Sequence, residues 1–270
     1  MKKSTSRALK ATVLAAVLLP AKASSSDSDS WRYGLSIYGW FPDISGTTAF
    51  PLGAGEDFTV PIGDILDNLQ FTFQGSFDAR KGKWGMFADM IYLDLGKSGH
   101  ETRDGMIGDA QITVDVTAKV GFDMKSLITT AAGYYRMVDE TNKSFDFVFG
   151  LRYADVSQKL NWNLSGNIGD LPVSGPVGSA KVSASYWDAI IGMRGQFGFG
   201  QSGKWYIPYY ADIGTGDSDL TWQAAGGIGY RFGWGEIAGV WRYLDYDLPS
   251  GKSIGDMDFS GPAVGAVFRW

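Results

Sequence analysis

The residues of this chain that could do acid–base chemistry are few, and they centre on one histidine. His100 is the only histidine, and the sequence contains no cysteine. Glu101 and Asp104 lie close to His100 in the stretch GKSGHETRDGM, so they could orient it as a general base. A His/Cys metal site is excluded, and a Ser-His-Asp arrangement could use only His100. A solvated polar residue is the simpler interpretation, so we predict no catalytic residue, no metal site, no cofactor and no enzyme.

A second pattern, Tyr-x-Asp, occurs five times in a chain with 13 tyrosines, which is several times more than chance gives. The pattern comprises the pairs Tyr92/Asp94, Tyr153/Asp155, Tyr186/Asp188, Tyr210/Asp212 and Tyr243/Asp245. Residues i and i+2 of a β-strand share one face, so each tyrosine would point to the same side as its aspartate. Whether the pattern is a chemical site depends on the elements that hold it.

Strict alternation of apolar and polar residues identifies those elements as β-strands. In NLQFTFQGSFDAR (68–80), apolar residues and glycine occupy the odd positions, and polar residues occupy the even ones. We predict about ten strands, with eight or twelve as alternatives, and we place them at residues 31–42, 68–80, 83–95, 112–137, 144–158, 181–198, 203–214, 219–232, 235–247 and 258–270. Connections that alternate between short and long are typical of a transmembrane β-barrel with short periplasmic turns and longer extracellular loops.

The N-terminal stretch has the features of a secretory signal peptide. Basic residues precede the apolar run ATVLAAVLLP, and Ala21-Lys22-Ala23 is a small-x-small cleavage site. We predict a signal peptide over 1–23, a flexible leader over 24–30 and the barrel over 31–270. Removing the signal takes five of the 24 basic residues and leaves 19 against 29 acidic residues, a net charge of −10. That balance argues against nucleic acid as a partner.

Alternation also assigns charged residues to the inner face of the barrel. The predicted lumen charges are Arg32, Asp78, Arg80, Asp146, Arg152, Asp188, Arg194 and Arg231, together with Asp212 of the fourth Tyr-x-Asp pair. Both signs are present, and the lumen of a ten-stranded barrel is narrow. We therefore expect an ion-paired interior with little open pore, or alternatively a narrow channel in which acidic loops favour cations.

The Tyr-x-Asp pairs allow two interpretations in a barrel. Tyr92, Tyr153, Tyr210 and Tyr243 lie late in predicted outward-running strands, each followed by its aspartate. Tyrosine can form the interfacial girdle while aspartate is the first residue in water beyond it. Alternatively, a β-bulge could turn the aspartates inward, where they would form an acidic ring at the mouth. We favour the girdle, which needs no additional distortion.

The chain resembles the integral outer-membrane β-barrel proteins of Gram-negative bacteria. Its last strand, GPAVGAVFRW, ends in Trp270 with Phe268 two residues before it. In that class, an aromatic C-terminal strand is the signal read by the barrel-assembly machinery. The resemblance implies location in the cell outer membrane, with lipid as a partner. Barrel proteases of the omptin type also have ten strands, but their groove needs an Asp-His pair, and Asp-x-His does not occur in this sequence.

Function follows from this architecture only in general terms. We predict a narrow, porin-like channel for ions or small solutes, or a closed structural barrel, without enzymatic activity. The alternatives are a binding or adhesion protein that uses loops at 43–67 and 159–180, and a membrane-embedded hydrolase that uses His100. Residues 60–69 have apolar positions at helical spacing, which predicts a short helix in the first outer loop, packed on the rim rather than inserted as a plug. The sequence names no substrate.

Overall fold

The structure is a computed structural model that describes residues 30–48, 56–107, 112–168, 171–249 and 254–270. The predicted signal peptide and residues 24–29 of the predicted leader lie outside the described residues. Ten antiparallel strands form one sheet that closes on itself, because the first strand pairs with both the next barrel strand and the last one. The predicted closed barrel of ten antiparallel strands is therefore confirmed.

The barrel strands follow chain order around the wall, and two shorter strands and one helix are inserted after the first. The barrel strands are β1 (Trp31–Trp40), β4 (Leu69–Lys81), β5 (Trp84–Ile107), β6 (Ile112–Asp139), β7 (Lys143–Ile168), β8 (Leu171–Phe199), β9 (Trp205–Gly216), β10 (Leu220–Arg231), β11 (Glu236–Asp247) and β12 (Ile254–Arg269). The insertion consists of β2 (Asp43–Thr48), β3 (Glu56–Val60) and α1 (Ile62–Asn68). No helix among the described residues is long and apolar enough to cross a membrane.

Short turns join the strands at one end of the barrel, which we call the lower end; in outer-membrane barrels this end is periplasmic. β4 and β5 are joined by Gly82 and Lys83, and Gly82 has a φ of 60°. Gly200 and Gly203, with φ values of 78° and 62°, shape the turn between β8 and β9. Glycine adopts this left-handed region at little cost, so these turns close tightly and fix the register of the strands.

The strands differ greatly in length. β5 to β8 contain 24 to 29 residues each, whereas β9 to β11 contain 12 each. About 9–11 residues are enough to cross a bilayer as a tilted strand, so roughly half of each long strand stands beyond the upper membrane surface. We call these projecting parts, residues 94–107, 112–125, 155–168 and 171–185, the tall sheet. The prediction of a loop at 159–180 was wrong, because β7 and β8 remain paired up to Ile168 and Leu171.

A seam in the upper wall separates β1 from β4. Their pairing ends at Ile37 and Gly75, although β1 continues beside β12 as far as Trp40. The side chain of Gln74 bridges the gap, since its Oε1 accepts a hydrogen bond from the Trp40 backbone N–H at 2.5 Å and its Nε2 donates one to the Trp40 carbonyl at 3.2 Å. The side-chain amide of Gln74 thus takes the place of the β4 backbone groups that would otherwise pair with the backbone of Trp40.

Helix α1 covers the same side of the barrel above the seam. The backbone N–H of Ile62 donates a hydrogen bond to Asp43 at 2.7 Å, which ties the start of the helix to β2. Ile65 is buried in the apolar interior, whereas Leu66 is half exposed. The predicted helix over 60–69 is therefore present, and it lies at the rim with one side chain directed inward.

The outer face of the barrel is a band of exposed apolar side chains bordered by aromatic rings. The lower border includes Trp84 against Tyr135, and Trp205 against Tyr230, with ring centroids 4.9 and 4.8 Å apart. Between the borders, side chains such as Ile191 are more than half exposed. A soluble protein could not leave such a continuous belt in water, but lipid solvates it.

Candidate functional site: the lumen

The lower part of the lumen contains a continuous network of ion pairs, which we call the lower cluster. Its members are Asp78, Arg80, Arg136, Asp139, Asp146 and Arg194, contributed by β4, β6, β7 and β8. Three arginines alternate with three aspartates, so the formal charge of the cluster is zero. Buried charges are tolerated when each finds a partner, and every member of this cluster has at least one.

The geometry of the lower cluster is well matched to carboxylates. Arg136 donates from Nε to Asp146 at 2.6 Å and from Nη2 to the other oxygen at 3.0 Å, which is a bidentate contact. Arg194 contacts both Asp78 and Asp146. Its guanidinium also lies 3.8 Å from the ring centroid of Tyr134, a cation–π contact. The network thus cross-links side chains from four strands.

A second group at the lower end surrounds Glu236 at the start of β11. Arg269 of β12 donates from Nε to Glu236 at 3.0 Å, and Arg231 of β10 lies 3.7 Å from the same carboxylate. Arg231 also stacks over Tyr206, with 4.6 Å to the ring centroid, and donates to the Gly203 carbonyl at 2.7 Å. This group holds the ends of β10, β11 and β12 together.

Higher in the lumen, Arg152, Asp212, Arg242 and Asp89 form a second set of buried ion pairs, which we call the upper ionic layer. Arg152 of β7 is fully buried, and its Nη2 pairs with Asp212 of β9, whose side chain is also fully buried. Arg152 further donates to Thr221 at 3.1 Å and to Thr130 at 3.4 Å. The guanidinium of Arg152 is therefore held on three sides, by β6, β9 and β10.

Arg242 of β11 is the other arginine of the upper ionic layer. Its Nη2 contacts Asp89 at 3.1 Å and Gln223 at 2.8 Å, and its Nη1 donates to the Tyr38 hydroxyl at 3.1 Å. Tyr38 in turn donates to Asp89 at 2.6 Å. The guanidinium stacks on Trp40 at 4.8 Å. Side chains from β1, β5, β10 and β11 therefore meet at this arginine.

Asp188 is satisfied locally rather than by an arginine. Its two carboxylate oxygens accept hydrogen bonds from the backbone N–H and the hydroxyl of Ser218, each at 2.9 Å. Ser218 lies in the turn between β9 and β10, so this contact fastens a short upper connection to β8. Of the other predicted lumen charges, Arg32 is exposed at the lower end of β1.

Above the upper ionic layer, the interior of the barrel changes from polar to apolar. The residues packed there are Trp40, Ile44, Ile65, Ile91, Leu93, Leu95, Met124, Ile128, Ala154, Val156, Tyr186, Leu244, Tyr246, Leu248, Met257, Phe259 and Ala263, which we call the upper core. Most are almost completely buried. The upper end of the barrel thus has a hydrophobic core like that of a soluble protein, and the expectation of a polar inner face holds only below it.

The Tyr-x-Asp pairs divide into two groups. Tyr92/Asp94, Tyr153/Asp155 and Tyr243/Asp245 point outward, since the residues between and beside them are buried in the upper core. Tyr186/Asp188 and Tyr210/Asp212 point inward. The outward tyrosines each contact an exposed ring on a neighbouring strand: Tyr92 contacts Phe71, Tyr153 contacts Trp187 and Tyr243 contacts Trp222, at 5.9, 4.7 and 4.7 Å. These rings form the upper aromatic border.

Outward-facing charges begin directly above that border. Asp94 accepts a hydrogen bond from Lys125 at 2.8 Å, and this contact raises the pKa of the lysine ammonium. Asp245 lies directly across from Asp258 in the pairing of β11 with β12. Partial burial raises the pKa of Asp245, and the charge of Asp258 raises it further, although a hydrogen bond from Tyr243 at 3.3 Å acts in the opposite direction.

The residues singled out for acid–base chemistry lie in the tall sheet. His100 is in β5, opposite Lys119 of β6, and Asp104 is opposite Asp115. Four residues of extended strand span about 13 Å, so the backbone does not bring Asp104 next to His100. Phe268, of the predicted assembly signal, lies beside Trp234 at 5.7 Å, and Trp270 lies beside Tyr33 at 6.0 Å. Their role in assembly stays a prediction.

Comparison with known proteins finds similarity in fold and none in sequence. No family model and no curated protein matches the chain. Among solved structures, outer membrane protease OmpT from Escherichia coli aligns with a TM-score of 0.53 and 10% identity over 92% of this chain and 99% of OmpT. Ail of Yersinia pestis aligns with a TM-score of 0.35 and 11% identity over 90% of this chain and 99% of Ail. The translocator domain of NalP from Neisseria meningitidis aligns with a TM-score of 0.34 and 14% identity over 89% of this chain and 88% of that domain.

The chain therefore has the outer-membrane β-barrel fold. Together with the apolar belt, this confirms the predicted architecture and the location in the outer membrane, with lipid around the wall. The similarity also corrects one prediction. We predicted that the chain is not an enzyme, but OmpT, a protease, shares its fold. At 10% identity the likeness shows the fold alone, and that fold is also used by an enzyme.

Several residues of the lumen were missed by sequence reasoning. All of the following take part in ion pairs at the inner face, but none was assigned to it: Asp89, Arg136, Asp139, Glu236 and Arg269. Asp89 is hidden in a strand that is apolar on both faces, because its inward neighbours are Phe87 and Ile91. Arg136 adjoins an irregularity of register between β6 and β7, which interrupts the alternation there. The predicted inner face had five arginines but only four aspartates, and this imbalance could have indicated that further inward carboxylates were missing.

Proposed function

We propose that the protein is a closed outer-membrane barrel that anchors the tall sheet on the extracellular side and does not serve as an open pore. The observation that carries this proposal is the filled lumen. Arg152 is completely buried between Thr130, Asp212 and Thr221, and the upper core packs above it. An ion would have to displace both layers to pass. The narrow channel is therefore the less favoured form of the function.

The length of β5 to β8 supports a role outside the membrane. Crossing a bilayer requires only about 9–11 residues per strand, so the additional rungs of the tall sheet serve no purpose in spanning. Those rungs pair continuously, from Asp94 opposite Lys125 up to Ile107 opposite Ile112 in the first hairpin. A paired sheet is a rigid platform, and binding surfaces are commonly held on such scaffolds. We propose that the tall sheet is a binding or adhesion surface.

Closure can be tested by electrical recording. The purified barrel, inserted into a planar bilayer, should give no steady conductance. A variant that combines Arg152→Ala and Asp212→Ala with Leu244→Ala, Tyr246→Ala and Phe259→Ala serves as the positive control, because these changes thin both layers. Steady conductance from the unmodified protein would contradict a closed barrel and favour the channel.

The role of the tall sheet can be tested by trimming it in register. Ser98 pairs with Gly121 and Asn161 pairs with Ser179, so Asn-Gly turns can replace residues 99–120 and 162–178 without shifting the strands below. The trimmed barrel should still fold, as shown by its shifted mobility in unheated gel samples. Cells that display the full-length protein should attach to protein- or glycan-coated surfaces better than cells that display the trimmed one. Equal attachment would contradict the proposed surface role.

A further inference from the structure

A cavity of about 260 Å³ lies inside the barrel between the lower cluster and the upper ionic layer. It is lined by Arg194 of the lower cluster and by Arg242 and Asp89 of the upper ionic layer, so it occupies the space between the two. Its volume equals that of roughly eight or nine molecules of liquid water. Small side chains on three neighbouring strands, Ala225, Ala238 and Ala263, leave room for the cavity on one side.

The charges that line this central cavity do not cancel. Arg194 and Arg242 contribute two positive charges, and Asp89 is the only acidic residue among the described lining residues. The carboxylate of Asp89 is already engaged, since one oxygen accepts from Tyr38 and the other from Arg242. The partners of Arg194, Asp78 and Asp146, are not among the lining residues. Within the lining itself, two guanidinium groups therefore face the cavity against one carboxylate, and the carboxylates that pair with Arg194 lie outside the lining.

One donor at the cavity has no partner. Arg242 is more than nine-tenths buried and uses both terminal nitrogens, but its Nε makes no hydrogen bond. The hydroxyl of Tyr210, also in the lining, is directed at the carboxylate of Asp212 and is engaged by it. A buried donor without a partner is costly, so an unused guanidinium N–H indicates that an acceptor belongs there.

Part of the remaining wall is polar, with Ser36, Ser76 and Thr130, and part of it is apolar. Ala225, Ala238, Val240 and Ala263 face the cavity from β10, β11 and β12, and Phe87 faces it from β5. A ligand that satisfies both sides must carry an anionic acceptor for Arg242 and a short hydrocarbon part for this wall. Inorganic anions lack the second feature, and neutral solutes lack the first.

We propose that the central cavity is a binding site for a short-chain carboxylate, with the carboxylate at Arg242 and the hydrocarbon against the alanine wall. A charge-assisted hydrogen bond from a guanidinium to a carboxylate is among the stronger polar contacts in proteins. The site goes beyond the proposed role of the tall sheet, and it does not depend on it. If the cavity binds no carboxylate, the expected results of the conductance and attachment tests stay the same.

Butanoate is a suitable probe, with butanamide as its uncharged counterpart. The full-length barrel is folded in detergent in the presence of radiolabelled ligand and dialysed to equilibrium. Butanoate should bind saturably with a Kd on the order of 1 mM, and butanamide should bind at least about tenfold more weakly. Absence of saturable binding, or equal binding of the amide, would overturn the proposal and leave a cavity that holds water only.

Variants locate the binding. Ala238→Leu fills the cavity and should abolish butanoate binding, whereas the matched control Ala88→Leu, on the lipid-facing side of β5, should retain it. Binding that survives Ala238→Leu, or that is lost in Ala88→Leu, would place the ligand elsewhere and overturn the assignment.

Discussion

The lower and upper halves of the lumen are filled by opposite chemistries. Below the upper ionic layer, the interior is a set of ion pairs with the apolar residues of the wall facing outward. Above it, the interior is the upper core, and charged residues face outward. On β7 the polar and apolar residues exchange faces within a few positions. Leu151 faces lipid and Arg152 faces the lumen, whereas Asp155 faces outward and Val156 faces the lumen.

This difference shows that the solvent outside determines the composition inside. Lipid requires an apolar outer face, so the period-2 alternation leaves polar residues for the lumen, where they must pair with one another. Water beyond the membrane accepts a polar outer face, and the same alternation then supplies an apolar core. The sequence Arg-Tyr-x-Asp marks the exchange in β7 (Arg152, Tyr153, Asp155) and again in β11 (Arg242, Tyr243, Asp245).

The largest effect is expected from breaking the upper ionic layer. Arg152→Leu leaves Asp212 charged and completely buried without its partner, and we expect a loss of about 3–5 kcal/mol in the free energy of unfolding. Urea unfolding of the barrel in lipid vesicles, followed by tryptophan fluorescence, measures it. The double variant Arg152→Leu/Asp212→Leu removes both charges and should recover most of the loss. If Arg152→Leu is as stable as the unmodified protein, then water reaches the Arg152–Asp212 ion pair, and the layer is not buried as described.

The upper core should respond like the core of a soluble protein. Leu244 is completely buried, so Leu244→Ala should cost about 2–4 kcal/mol through lost burial and the cavity that remains. Ile237→Ala, on the lipid-facing side of the same strand, is the matched control and should cost less, because lipid chains fill the space. The same urea titration compares the two variants. Equal losses would argue against a packed core above the membrane.

The smallest effect is expected on the outer face above the membrane. The pKa of Asp245 is raised in the folded protein, so the folded state binds its proton more readily than the unfolded state. Stability therefore falls as pH rises through this window, and at about pH 7 the ionised carboxylate is unfavourable. Asp245→Asn should raise stability by a few tenths of a kcal/mol at about pH 7, and the gain should vanish below about pH 3. A gain that persists in acid would exclude ionisation as its cause.

Much of the fold could be predicted from the sequence, because alternation is strong wherever one face meets lipid and the other meets charge. The strand predicted at 68–80 is found at 69–81, and the one predicted at 235–247 is found at 236–247. Prediction failed where the faces exchange roles. The strand predicted to end at residue 95 continues to Ile107, and the one predicted to begin at 181 begins at Leu171.

The pairing inside the lumen could not be predicted, for a physical reason. Alternation tells which face a residue occupies, but the partner of a charge depends on the height and position of other strands around the wall. Arg242 meets Asp89 from a strand 153 residues earlier in the chain. Such contacts depend on the closed geometry of the barrel. The same limit applies to the central cavity, which requires small residues from three consecutive strands to face one another.

The exchange of faces is tested most directly by single-cysteine labelling along β7, because the chain has no cysteine of its own. Cysteines are introduced one at a time at residues 154–157 and exposed, in intact cells, to a maleimide that does not cross membranes. We predict that Asp155→Cys and Ser157→Cys react rapidly, while Ala154→Cys and Val156→Cys are protected by the upper core. Rapid labelling at Ala154→Cys and Val156→Cys would show a water-filled upper lumen and would contradict the closed barrel.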